Sequence, residues 1–188
     1  LQLPILEVVN QGDYPSKVSK IVMGVKGRSQ KILVVDDKME NILFLQDFLL
    51  SIGFRVEIAN NGRVGLEKIN EFHPDLAIID IVMPEMGGLE MIEVIRHNSA
   101  YKNLKIIASS ASVFSTDQAL CFEAGSDAFL TKPVVIKDLL KKLEDLLKIQ
   151  WIYREDHQED SSSDDLTNSA DQSEVDIDNL LLENLYEL

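Results

Sequence analysis

Only one cysteine, Cys121, occurs in the 188 residues. This excludes an intrachain disulfide framework, and a helix face would make the residue ordinary core. Such usage fits a reducing, cytoplasmic compartment. No apolar run approaches the roughly 18 to 20 residues that span a bilayer. The opening LQLPILEVV lacks the basic flank and the length of a signal peptide, so no membrane insertion is expected. Basic residues are also scarce, 18 Lys and Arg against 32 Asp and Glu, for a formal net charge of −14. The deficit is uneven: residues 150–188 carry 1 basic and 12 acidic side chains, whereas residues 28–149 carry 14 and 18. That sign repels phosphate backbones, and residues 1–149 contain no basic stripe interleaved with aromatics, so direct nucleic-acid binding is not expected.

What is present is enough apolar material, 45% of residues, for one substantial core but hardly two. Short β-rich runs alternate with helical patterns, the signature of a doubly wound parallel α/β sheet. Five strands are predicted at 31–36 (KILVVD), 54–59 (FRVEIA), 75–80 (DLAIID), 105–110 (KIIASS) and 127–132 (DAFLTK), each followed by a helix. The first and third are continuously apolar and therefore central, whereas Phe54, Val56 and Ile58 alternate with Arg55 and Glu57, leaving one face or edge of the second strand wet. The strand order that fits is 2-1-3-4-5, a five-stranded flavodoxin-like fold. Residues 1–28 read as an N-terminal extension or linker, 29–150 as the domain, and 151–188 as an acidic, mostly flexible tail.

In this topology ligands bind beyond the carboxyl ends of the strands, where the winding reverses. The first strand ends there in Asp36 and Asp37 and the third in Asp80, and the repulsion of three convergent carboxylates calls for a cation. All-oxygen ligands in small number, with room for water and phosphate, favour Mg2+ over a caged Ca2+. Two more groups arrive at the same edge. Ser110 can donate to a phosphoryl oxygen and Lys132 supplies a point charge, the pieces of a phosphoryl-transfer site. Taken singly each has a plainer reading: turn or cap residues for the aspartates, a strand-end hydroxyl for Ser110, a solvated side chain for Lys132. Their convergence favours function. His73, His97 and His157 read as surface residues, and Met83 and Met86 as packing.

These motifs, ILVVDD, IIDIVMPEMGG, IIASSAS and AGSDAFLTKPV, in this order and spacing, resemble the receiver domain of two-component response regulators over about residues 29–149. The resemblance implies that Asp80 accepts a phosphoryl group from a phosphohistidine of a histidine kinase or histidine phosphotransfer domain. It implies Mg2+ held by Asp36, Asp37, Asp80 and the Val82 carbonyl, with Ser110 and Lys132 on the phosphate, and a cis bond between Lys132 and Pro133. Ser110 and Phe129 would couple phosphate to a partner-binding face formed by the fourth helix, fifth strand and fifth helix. Gly87 departs from the aspartate usual in the family, Ser110 replaces a threonine, and Phe129 replaces a tyrosine.

The stretch GVKGRSQKILVVDD resembles the join before the receiver of cyanobacterial-type hybrid sensor histidine kinases, and LLKIQWIYRED resembles the segment on the C-terminal side of such receivers. The chain begins at Leu1, which fits a piece of something longer as well as it fits a removed start residue. No kinase core occurs here, so histidine kinase activity would lie outside these residues, and a receiver by itself promotes only its own phosphorylation and dephosphorylation. Residues 155–174 read as a solvated linker. Ile177, Leu181, Leu185 and Leu188 then fall near one helical face, as in a short docking helix or the start of another domain. Two other function classes stay open on the sequence alone. One is a Mg2+-dependent phosphohydrolase of the haloacid dehalogenase type, which would place a general acid where Val82 stands; the other is a receiver-like interaction module that takes no phosphate.

Overall fold

The structure is a computed structural model that describes residues 20–111 and 114–155. Residues Val22–Arg154 form one compact unit, and the described residues Lys20, Ile21 and Glu155 fall outside it. Seven strands are described: β1 Lys20–Val25, β2 Lys31–Val35, β3 Arg55–Ala59, β4 Leu76–Asp80, β5 Lys105–Ser110, β6 Ala128–Thr131 and β7 Trp151–Glu155. The helices are α1 Met39–Ser51, α2 Gly62–Phe72, α3 Gly88–His97, α4 Ser115–Ala124 and α5 Ile136–Leu147, with a 3-10 turn at Ser99–Tyr101. Strands β2 to β6 form one parallel sheet in the order β3-β2-β4-β5-β6, which is the predicted 2-1-3-4-5.

The central strands are buried because helices cover both faces: Ile32, Leu33, Val34 and Val35 of β2 and Leu76 to Ile79 of β4 are almost wholly excluded from solvent. The edge strand β3 exposes Arg55 and half-buries Val56, Glu57 and Ile58 alike, so it is the edge rather than one alternating face that is wet. Helices supply the matching apolar stripes, with Ile42, Leu45, Phe48 and Leu49 on α1 and Ile136, Leu139, Leu140 and Leu143 on α5, at spacings of three and four. Local signals set the boundaries. The Asn61 side chain accepts the Val64 amide at 2.9 Å and starts α2. Gly125, at φ 106°, ends α4 in the left-handed conformation that a glycine adopts without a Cβ penalty. Among the described residues no helix is long and apolar enough to cross a membrane.

Register fixes what arrives at the carboxyl edge. Val35 pairs with Ile79, so Asp36 and Asp80 stand one residue further on adjacent strands. Asp80 pairs with Ser109, and Ser110 with Thr131, which places Lys132 immediately beyond.

Two strands lie outside the five read from sequence. β1 falls in the expected linker and β7 in the expected tail, and they pair as a separate two-stranded sheet. The Lys26 amide donates to the Gln150 carbonyl at 2.8 Å, so the segments entering and leaving the five-stranded domain run together. Trp151 anchors them, since its ring meets Phe54 edge-on at 6.2 Å and the residue is buried. The pairing joins short segments remote in sequence, each without a long enough alternation to show. The linker expected at 155–174, His157 and the helical pattern at 177–188 lie outside the described residues, apart from Glu155 at the end of β7.

If β7 is integral to the fold, Trp151→Ala should lower unfolding stability by about 3 kcal/mol, the usual loss for a large buried aromatic. Urea denaturation of the whole chain checks this. A change within a few tenths would make β1 and β7 an independent appendage.

Candidate functional site

At the carboxyl edge the strands end in charge because β2 and β4 are each followed at once by a turn. Asp36 and Asp80 are both buried, while Asp37 is exposed. Each of the three brings one carboxylate oxygen within 4.8 Å of the others. The Asp36 backbone stays tied to the sheet through its amide, which donates to the Ala59 carbonyl at 3.1 Å.

Lys132 answers this negative charge. Its Nζ donates to Asp36 Oδ2 at 2.6 Å and to Asp80 Oδ2 at 2.5 Å, so one ammonium bridges two strands. Lys132 is held in place by its own amide, which donates to the Ser110 carbonyl at 2.8 Å, and the Lys132–Pro133 bond is cis. Burial works against the ammonium, but hydrogen bonds and attraction from Asp36 and Asp80 outweigh it and raise the lysine above its ordinary value of 10.5. For a cation raised in this way, the stabilisation is fully present below the unfolded value and is lost only as pH rises through the higher folded value. The bridge therefore holds across the whole neutral range.

Asp80 is oriented from both sides, Oδ2 by Lys132 and Oδ1 by the Val82 amide at 3.1 Å. The loop after β4 turns tightly back: the Ile81 amide donates to the Ser109 carbonyl at 3.0 Å and the Gly88 amide to the Ile81 carbonyl at 3.1 Å. A Cβ on residue 88 would stand 2.1 Å from the Asp80 carbonyl oxygen and 2.7 Å from Ile81 Cα, so only glycine lets α3 start against the end of β4. Gly87, which stands where the family usually has aspartate, has ordinary geometry (φ −71°) and ample room. Its conformation does not require glycine, and as an N-cap a glycine costs only a few tenths of a kcal/mol against aspartate.

Of the remaining predicted residues, Ser110 is buried at the end of β5, one residue beyond the Asp80–Ser109 pair. Phe129 is buried in β6 opposite Ala108 and belongs to the core cluster with Ile106, Met91 and Cys121. The Val82 side chain is 72% exposed; it carries no acid, and only its backbone faces the site. His73 and His97 are exposed at helix ends, and Met83 and Met86 pack against the core, all as expected. Sequence reasoning missed Asn41. Its Nδ2 donates to Asp36 Oδ1 at 3.0 Å and to Oδ2 at 3.1 Å, and the Lys38 amide also donates to Oδ1 at 3.0 Å. An asparagine on the first turn of a helix carries no distinguishing signal in one sequence.

The donor set fits Mg2+. Three carboxylates against one ammonium leave a formal charge of −2, and hard oxygens open to water on the exposed Asp37 side suit an ion that keeps part of its hydration shell.

The family model for the response regulator receiver domain matches residues 32–144. A hybrid signal transduction histidine kinase of Dictyostelium discoideum is 38% identical over 121 residues, which cover 60% of this chain and 7% of that protein. The chain spans at most about half the length of its most similar curated relatives. Among solved structures, a receiver domain of Saccharomyces cerevisiae, Ssk1, crystallised with the histidine phosphotransfer protein Ypd1, matches with a TM-score of 0.60 at 25% identity over 63% of this chain and 88% of that one. A CheX–CheY–BeF3–Mg complex from Borrelia burgdorferi matches with a TM-score of 0.59 at 25% identity over 63% and 89%. With its sheet order, its aspartate crevice and this family match, the chain belongs to the response regulator receiver domain family and is a receiver domain of two-component signalling.

Proposed function

We propose that the domain accepts a phosphoryl group from a phosphohistidine onto Asp80 and thereby switches a surface that a partner reads. The observation that carries this is the pair of contacts that fix Asp80, one oxygen on the Lys132 ammonium and the other on the Val82 amide. A carboxylate held in this way is presented as a nucleophile. An Asp80 oxygen forms the new bond to phosphorus as the bond to the histidine nitrogen breaks and the imidazole leaves. Lys132 and the Ser110 hydroxyl stabilise charge on the equatorial oxygens, so positioning and electrostatics do most of the work. Asp36, Asp37, Asp80 and the Val82 carbonyl would hold Mg2+, which when bound neutralises charge between the carboxylates and the incoming phosphoryl group.

A phosphohydrolase reading is weaker, because the exposed valine at position 82 offers no general acid to protonate a leaving group or activate water. The donor is a histidine kinase or histidine phosphotransfer domain. Likeness to the Dictyostelium hybrid kinase supports a hybrid sensor histidine kinase as the parent; the receiver would then be its C-terminal module, at a cytoplasmic location. The output face is α4, β6 and α5. There Phe114, Leu120 and Phe122 are exposed, and a cleft of about 410 Å3 lies between Phe122 and Phe129, reaching Asp138 and Lys142. Phosphate on Asp80 would draw Ser110 toward it and open space behind β5 into which Phe129 turns, a shift between two packings that the added charge biases.

Acetyl phosphate with Mg2+ should add one acid-stable, base-labile phosphoryl group by intact mass. Asp80→Asn should abolish it, and Asp37→Ala should weaken both Mg2+ binding and labelling by at least tenfold. Undiminished labelling of the asparagine variant would overturn the assignment. Ser110→Ala should still be labelled, yet beryllofluoride should no longer move the amide resonances of Phe129 and residues 114–124 as it does in the parent; equal shifts in both would remove Ser110 as the coupling residue.

A further inference from the structure

Asp36 is the most constrained carboxylate of the cluster, and the constraint comes from two different kinds of donor. On Oδ2 it receives the Lys132 ammonium at 2.6 Å, a charged contact shared with Asp80. Across both oxygens it receives a neutral one, the Asn41 side-chain amide at 3.0 and 3.1 Å, with the Lys38 backbone amide added on Oδ1. Asp36 is 2% exposed, so water does not compete for these positions. Asn41 sits one helical turn beyond the acidic pair, half-buried on the first turn of α1. It lines a pocket of about 270 Å3 with Asp36, Phe44, Lys132 and Pro133, where its amide is held by its hydrogen bonds to Asp36.

The two donors act differently on a carboxylate that must bind a divalent cation. Lys132 neutralises Asp36 and so competes with a metal for it. A neutral amide straddling both oxygens fixes the plane of the group without spending its charge. Without that amide the carboxylate keeps only the Lys38 backbone amide on Oδ1 and the lysine ammonium on Oδ2, and the charged partner is the stronger of the two. The carboxylate would lean toward Lys132, and a metal would have to displace a better-formed ion pair.

We infer that Asn41 is a positioning residue of the metal site, holding Asp36 in the orientation that receives Mg2+ and keeping it from being captured by Lys132. The inference rests on the proposed Mg2+-dependent reading of the same crevice. It concerns affinity for the ion rather than the transfer itself, since Asn41 makes no contact with Asp80 in its hydrogen bonds.

The test is a Mg2+ titration of the full 188-residue chain, monitored by calorimetry and by the amide resonances of Asp37 and Val82. Asn41→Leu keeps the γ-branched shape and removes the donor; Asn41→Gln keeps an amide on a longer stem; Asn41→Ala is carried alongside in case leucine does not fold. Leucine and alanine should each weaken Mg2+ binding by about tenfold, the lower end of the usual effect of losing a partner of a metal ligand, and glutamine should recover part of that loss. The rise in unfolding midpoint on adding Mg2+ should be smaller in the leucine variant than in the parent, a difference that a merely structural role would not produce. Leucine and alanine variants that bind Mg2+ as tightly as the parent would overturn the role of Asn41 alone, as would a glutamine variant as weak as leucine. A parent chain that binds no Mg2+ would overturn the functional reading beneath it.

Discussion

One ammonium group spans the carboxyl edge of the sheet, and the arrangement of the site depends on it. Strands β2 and β4 end side by side in Asp36 and Asp80, both buried, and two carboxylates so placed repel each other strongly where little water screens them. Lys132 lies against both, at 2.6 and 2.5 Å, and ties the end of β6 to the centre of the sheet. Removing one partner of a buried ion pair generally costs more than the pair itself contributes, because the remaining charge is stranded. The crevice is thus held together by opposite charges drawn from three different strand ends.

The rest of the fold serves to bring these groups to one line. A parallel sheet delivers its strand ends to a single edge, and the pairing of Val35 with Ile79 and of Ser110 with Thr131 brings Asp36, Asp80, Ser110 and Lys132 there without any loop reaching in from afar. Buried strands of Val, Ile, Leu and Ala hold this register, because slipping one residue would misplace every side chain at the edge. Gly88 allows the final adjustment, letting α3 start against the carbonyl of the phosphoacceptor candidate.

Much of this was legible in the sequence, for reasons that differ by element. Continuous apolar runs such as ILVV and LAII, ended by aspartates, give the central strands and their chemistry together, and the strand ends 36, 80, 110 and 132 follow from the topology. β1 and β7 were not legible, since KIVMGV and WIYRE acquire meaning only by pairing with each other and by Trp151 meeting Phe54. Asn41 was silent for another reason: a polar residue on an amphipathic helix is expected on its own account, and only distances to Asp36 reveal what it does. The close approach that demands a glycine at 88 is visible only in three dimensions.

Lys132 holds the carboxylates together, and a divalent cation bound as proposed would take over part of that task. Unfolding free energies of the parent and Lys132→Met, each measured in EDTA and in saturating Mg2+, test it most directly. The variant should lose about 3 kcal/mol in EDTA, and Mg2+ should restore a substantial part of the difference. A loss of the same size with and without Mg2+, or no loss at all in EDTA, would contradict it.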